Sequence, residues 1–196
     1  MKYVLSAVIG YLLGSVSVSI LVSKLLFRDD IRTHGSGNAG ATNMARIFGA
    51  LPGVLTLAGD MCKAFISAGI GHALCGEAGK LIGLTACVIG HCFPVYFRFK
   101  GGKAMSVGVA VAFLMDWRAG LISAAVFFLV FFLYRRVSAS SVSSAVTLVI
   151  SYAILNGVRS WEFALVCFTA AILIFMHRAN IRRIIEGTEP EFKFKT

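Results

Sequence analysis

Three stretches of the chain gather residue types that handle anions. The first, 30–49, reads DIRTHGSGNAGATNMARIFG. Gly35, Gly37 and Gly40 alternate with Ser36, Asn38, Thr42 and Asn43, and Arg46 follows. Closely spaced glycines let successive backbone N–H groups turn toward one anion, and a helix start behind them adds its positive end. Ser36 can donate a hydrogen bond, and Arg46 can grip a phosphate through two N–H groups. The plain alternative is a Gly/Asn-rich turn joining two helices; so many polar groups beside a guanidinium favour the anion site. The second stretch, 90–106, reads GHCFPVYFRFKGGKAMS. Gly101 and Gly102 ahead of Lys103 look like another phosphate cradle, although the GxxxxGK[ST] spacing of nucleotide-binding loops is absent. Lys100 and Lys103 either meet an anion or snorkel from an apolar margin, and His91 alone decides nothing. The third, 177–191, reads HRANIRRIIEGTEPE. His177, Asn180 and Ile184 share a helix face by their spacing, and Gly187 reads as a helix stop before Glu189. Its rival reading is a basic helix lying on acidic lipid.

The elements that must position these stretches are apolar. Of 196 residues, 58% are hydrophobic and 14% charged, against about 45–50% and about 25% in a soluble domain. Disorder, a disulfide scaffold and an ordinary cytosolic enzyme are disfavoured, and an integral membrane protein is expected. Nucleic-acid binders share the net charge of +10, but carry it on a soluble face; here it falls in short clusters between apolar runs, so no nucleic-acid partner is expected. The five cysteines form no CxxC pair and read as reduced packing residues, leaving neither a zinc site nor a disulfide framework.

A helix needs roughly 20 apolar residues to cross a bilayer. Candidate spans are 3–26, 50–73, 81–97, 105–114, 121–134, 142–155 and 161–176, all too long and too little alternating for barrel strands. The first is too long for a signal peptide and lacks its cleavage pattern. The fourth is short. Asp116, Trp117 and Arg118 interrupt the run around it, so two short helices, reaching partway or re-entrant, are expected there. Basic residues concentrate on the cytoplasmic side. Seven crossings with the N-terminus outside and the C-terminus cytoplasmic put Lys24, Arg28, Arg32 and Arg46 inside, then Arg98, Lys100 and Lys103, then Arg135 and Arg136, then Arg178, Arg182, Arg183, Lys193 and Lys195. Lys2, Lys80, Arg118 and Arg159 fall outside. All the unusual polar segments then lie on one face. The expectation is an all-α, polytopic membrane helix bundle forming a single domain over 1–196.

Asp60 and Lys63 lie within the second span, three residues apart on one face, and form either a structural ion pair or a substrate-site pair. Gly10 and Gly14 make a GxxxG pair for close helix packing. Ser138 reads as a helix cap, while Ser141 either caps or faces the anion.

The order GSGNAGATNMAR, then GHCFPVYFRFKGGK, then His177, Asn180, Ile181, Arg183, Gly187 and Glu189 resembles the bacterial membrane acyl-phosphate:glycerol-3-phosphate acyltransferases, the PlsY family. The likeness runs through essentially the whole chain. It departs at Val16 and Ser17, where the family often has isoleucine and proline, and at Ala104, where a glycine often follows the GGK lysine. The resemblance implies transfer of a fatty acyl group from acyl-phosphate to the 1-hydroxyl of sn-glycerol 3-phosphate, giving lysophosphatidate and phosphate, on the cytoplasmic side of the bacterial inner membrane. It also implies work beside the enzyme that makes acyl-phosphate. The mixed anhydride is already activated, so no metal, nucleotide or other cofactor is expected. Acyl-CoA-dependent acyltransferases use a His followed five positions later by Asp, and no histidine here has that partner.

On this reading the catalytic set is Ser36, Arg46, Lys103, His177 and Asn180. The substrate-binding set is Gly35, Gly37, Asn38, Asn43, Gly101, Gly102, Ser141, Arg183 and Glu189. Ser36, Asn38, nearby N–H groups and Lys103 would stabilise negative charge on the carbonyl oxygen and leaving phosphate, each donor worth roughly 3–4 kcal/mol. Arg46, Asn180 and His177 would hold the glycerol phosphate, with Glu189 orienting one of them. The base is a substrate phosphate oxygen or His177, with the phosphate favoured. The rival classes are an anion or organophosphate transporter built on broken helices, and a scaffold for anionic lipid. Polar groups gathered on one face argue against transport, which needs access from both.

Overall fold

A computed structural model describes residues 1–192, so the cationic positions 193 and 195 lie outside the described residues. The regular structure of the described residues is all helical, with no strand. Four segments are long and apolar enough to cross a membrane: Lys2–Phe27, Ala50–Phe97, Trp117–Tyr134 and Val137–Asn156. A fifth results if Trp161–Met176 and Arg178–Ile185, bent by 59°, form one span. The chain divides into two compact units, Met1–Ala110 and Val111–Phe192.

In the first unit, α1 (Lys2–Ser15) and α2 (Val18–Phe27) replace the single span expected over 3–26. Val16 and Ser17 are extended, so the chain departs from a helix without the family's proline. After a 3-10 turn (Ile31–Thr33) comes the short α3 (Ala41–Phe48) and then α4 (Ala50–Cys92). The long α4 is broken at Cys75 and Gly76, the latter with φ of 65°. Its two arms fold back against each other: Gly71 and Gly79 touch through their backbones, and Gly83 faces the carbonyl of Ser67. The expected third span therefore reaches back to this break and ends early, at Cys92. Pro94 disfavours helix at Phe93, and a second 3-10 turn (Val95–Phe97) follows. α1 lies in the groove of these arms, with Gly10 against Gly83 and Gly14 against Cys87 at backbone contact. No side chain fits there, the small-residue packing expected of the GxxxG pair. A second apolar cluster (Ile20, Ile31, Ala39 and Met44, with Phe97 against it) joins α2, the first polar loop, α3 and the 3-10 turn after α4.

Between the units' sequences runs α5 (Met105–Met115), as short as hydropathy predicts. In the second unit, α6 (Trp117–Tyr134) starts at Asp116, whose carboxylate accepts from the Arg118 and Ala119 amides and from the Arg118 guanidinium, while Asn156 donates to it at 2.8 Å. The interruption seen in the sequence is thus a helix cap. α7 (Val137–Asn156) begins five residues before the expected span. Its first turn is serine-rich, which hides it from hydropathy, yet Ser140 and Ser141 bond back to the carbonyls of Arg136 and Val137 and stay helical. α8 (Trp161–Met176) and α9 (Arg178–Ile185) complete the unit. Ala112, Ala119, Leu148, Tyr152 and Val166 form its apolar core.

Candidate active site

In the first unit, the loop before α3 is organised by Asn43. Its side chain is buried, accepts from the Ser36 amide at 3.1 Å, and donates to the carbonyls of Ile31 (3.3 Å), His34 (3.0 Å) and Asn38 (3.2 Å). Gly35 and Gly37 adopt φ of 57° and 70°, a region that only glycine enters freely. A side chain on Gly35 would strike the Asn43 carbonyl oxygen. The amides of Gly37 and Gly40 also bond inside the loop, to His34 and Asn38. With the Ser36 amide engaged as well, the loop's own carbonyls and Asn43 take the N–H groups expected to cradle an anion. The loop exposes Ser36 between the equally exposed Gly35 and Gly37, with Arg46 half-buried in the last turn of α3. Beside it Asp30 accepts twin bonds from Arg32 (3.0 and 2.7 Å), and that guanidinium holds its carboxyl down to about 2. Arg32 also lies over the Phe97 ring, 5.8 Å from its centre, so the first two polar stretches adjoin.

The GGK turn is built on His91. The Gly102 amide donates to the His91 carbonyl at 3.0 Å. A side chain on Gly101 would strike that carbonyl, and one on Gly102 would strike the imidazole Nε2. Both glycines are therefore required by close approach to His91. Arg98, Phe99 and Ala104 take left-handed conformations with φ of 55°, 58° and 61°. Such strain in non-glycine residues persists where the surroundings enforce it, often at functional sites. Ala104 is fully buried and stands where the family's glycine would meet no such strain.

Beneath the turn, Asp60 and Lys63 form an ion pair of 2.8 Å. The Lys63 ammonium also reaches the Val16 carbonyl at 2.7 Å and His91 Nδ1 at 3.1 Å. All three side chains are buried. The ion pair was legible from its spacing; its link to His91, 28 residues on, had no local signal.

In the second unit, the bend between α8 and α9 falls at His177, which is buried with Nδ1 2.9 Å from the Leu173 carbonyl. A carbonyl only accepts, so Nδ1 donates, and in a neutral ring Nε2 is the acceptor. After α9, Gly187 turns with φ of 71°, the helix stop read from the sequence. Glu189 then folds back: its amide donates to the Arg183 carbonyl, and its buried carboxylate accepts from Ser138 Oγ (2.6 Å), Asn180 Nδ2 (2.7 Å) and Arg183 Nε (2.7 Å). Burial pushes this carboxyl up, but the three donors outweigh it and leave it below its ordinary value. Ser138 is thus no helix cap; no side chain caps α7, because Ser138 lies inside the first turn and turns its hydroxyl to Glu189. Ser141 bonds to its own helix and shows no bond to this cluster. Among the described residues, no group of three or more His, Cys, Asp or Glu side chains is arranged to hold a metal ion.

Apolar helices of spanning length, with polar segments clasped at their ends, define an integral membrane protein. The sequence model of the family described as "Glycerol-3-phosphate acyltransferase" matches residues 4–187. A glycerol-3-phosphate acyltransferase of Thermoanaerobacter pseudethanolicus is 38% identical, the alignment covering 100% of this chain and 98% of that one. Two crystal structures of PlsY, "an integral membrane glycerol 3-phosphate acyltransferase", superpose with TM-scores of 0.91 and 0.89 at 31% and 30% identity, covering 98% of this chain and 96% of each of theirs. One is described as the glycerol 3-phosphate form, the other as the lysophosphatidic acid form. The chain belongs to the glycerol-3-phosphate acyltransferase family and is a membrane-embedded acyltransferase.

Proposed function

We propose that this protein moves a fatty acyl group from acyl-phosphate to the 1-hydroxyl of sn-glycerol 3-phosphate, releasing lysophosphatidate and inorganic phosphate. The observation that carries this is whole-chain similarity to a PlsY structure described in its glycerol 3-phosphate form, together with the polar stretches that a phosphorylated acceptor and donor require. The family match runs through both compact units, which supports reading the chain as one acyltransferase domain. The break in α4 makes two passes of that segment, and α5 adds a short one. With α1 and α2 as one bent pass, and α6, α7 and α8, the chain crosses seven times, N-terminus outside and C-terminus in the cytoplasm. The basic clusters favour this direction. The site then faces the cytoplasm from the bacterial inner membrane, where a partner enzyme supplies the acyl-phosphate.

As the hydroxyl attacks the acyl carbon, the Ser36 hydroxyl, the Asn38 amide and Lys103 stabilise charge on the carbonyl oxygen and departing phosphate. Gly35, Gly37 and Asn43 serve by fixing the shape of the loop that carries Ser36. Gly101 and Gly102 do the same for Lys103. Arg46, His177 and Asn180 hold the glycerol phosphate, Ser141 and Arg183 adjoin it, and Glu189 orients Asn180 and Arg183 by accepting from both. A phosphate oxygen of the substrate takes the hydroxyl proton. His177 is the second reading, favoured by its Nδ1 bond to Leu173, which leaves a neutral ring's Nε2 able to accept; loss of turnover in His177→Gln with glycerol-phosphate binding intact would establish it.

The test is purified protein in vesicles with acyl-phosphate and radiolabelled glycerol 3-phosphate. Labelled lysophosphatidate is the expected product. No product, with phosphate flux across the vesicle wall, would favour the transporter instead.

A further inference from the structure

The geometry points to Asp60, Lys63 and His91 as a buried positioning network that holds the GGK turn, and through it Lys103, in working geometry. The inference rests on the proposal that Lys103 acts on the phosphorylated substrates. An ammonium has three N–H donors. Lys63 spends two of them on the Val16 carbonyl at 2.7 Å and His91 Nδ1 at 3.1 Å, and its charge is paired with Asp60 Oδ1 at 2.8 Å. Because the ammonium can only donate, His91 must accept at Nδ1 and carry its proton on Nε2. That Nε2 edge is the one facing Gly102, where a single added carbon would collide with it. Lys63 therefore fixes both the place and the tautomer of the ring on which the turn is seated. The Gly102 amide bond to the His91 carbonyl completes the seat.

Stability alone does not account for the arrangement. Burying two charges in a spanning helix is costly, and a well-packed apolar pair is commonly as stable or more so. A purely structural pair also has no need of a third member under a loop. Asp60 compensates the ammonium, and Lys63 ties the arm 50–74 to α1 at the Val16 break and to the end of the arm 77–92. The three elements that frame the turn are thereby referenced to one atom. None of the three side chains need touch substrate; they act through Lys103.

The test neutralises the pair together, Asp60→Asn with Lys63→Met, so that no charge is stranded. His91→Gln, which leaves the ion pair intact, is read in its place if the double variant does not purify folded. Two readouts are taken on the full chain in lipid nanodiscs. Amide exchange over 101–103 is expected to accelerate at least tenfold while the rest of the first unit exchanges as before; unchanged protection there overturns the tether. Turnover is expected to fall at least tenfold with KM for glycerol 3-phosphate and acyl-phosphate compared separately, and to fall no further when Lys103→Ala is added. Losses that multiply, or turnover within twofold of the unchanged chain, overturn the positioning role. If Lys103→Ala by itself leaves turnover intact, the assignment of Lys103 fails, and the exchange readout still decides whether the network holds the turn.

Discussion

The molecule holds two buried polar hubs that are inverses of each other. In the first unit a cation sits at the centre: Lys63 donates to a carbonyl and an imidazole and is ion-paired with a carboxylate. In the second an anion does: Glu189 accepts from a hydroxyl, an amide and a guanidinium. Each pins one of the polar stretches. They differ in surroundings and in what can undo them. The Lys63 hub has its three side chains buried and takes in the part-buried Val16 carbonyl at the break after α1, whereas the Glu189 hub lies on a return segment after α9, with Arg183 partly exposed. The carboxylate at the centre of the Glu189 hub is discharged by acid.

The most direct way to break the comparison is to remove each centre. Lys63→Met strands the Asp60 carboxylate, and a buried charge without its partner costs about 3–5 kcal/mol; unfolding in mixed micelles should register that loss, and adding Asp60→Asn should recover most of it. Glu189→Gln keeps the shape but discards charge-assisted bonds, each worth about 1.5–3 kcal/mol, so a somewhat smaller destabilisation is expected with a marked loss of turnover. If the two variants cost the same, depth of burial does not separate the hubs.

Acidification sharpens the contrast further. Glu189 has a folded value below its ordinary 4.5, so its stabilisation is full above that pH and fades as pH falls through the folded value. The unfolding midpoint should drop below about pH 4.5 in the unchanged chain, and Glu189→Gln should lack that part of the drop; an identical acid limb in both would place the sensitivity elsewhere. The smallest effect is expected at Ala104→Gly. Relief of the left-handed strain, about 1–2 kcal/mol, opposes the lost burial of a methyl group, about 0.8 kcal/mol, and glycine's extra unfolded freedom, about 0.5–1 kcal/mol. Stability should stay within about 1 kcal/mol of the unchanged chain; a larger loss would mean that the methyl is packed more tightly than the strain is costly.

What could be read in advance follows the range of the signal. Helical class, the three polar stretches, the stop at Gly187 and the interruption at Asp116 are written in hydropathy, composition and capping residues, all of which are local. The break at Val16 is not, because neither residue there is a helix breaker and the carbonyl it exposes is met by a side chain from another helix. Ser138 looked like a cap because serine near a helix start usually is; its partner lies 51 residues further along. The anion loop was recognisable by its glycines, yet most of its amides turn inward to Asn43 and to its own carbonyls. His91 had no distinguishing neighbour in the sequence, and only the fold brings it between a buried ammonium and a turn.

The bend in the first span has an inheritance of its own. Where relatives often carry a proline, this chain bends without one, and the Val16 carbonyl at the bend is met by Lys63, 47 positions away. A cation far off in the chain thus braces the kink from outside, so the bend is held by the bundle around it and not by its own two residues.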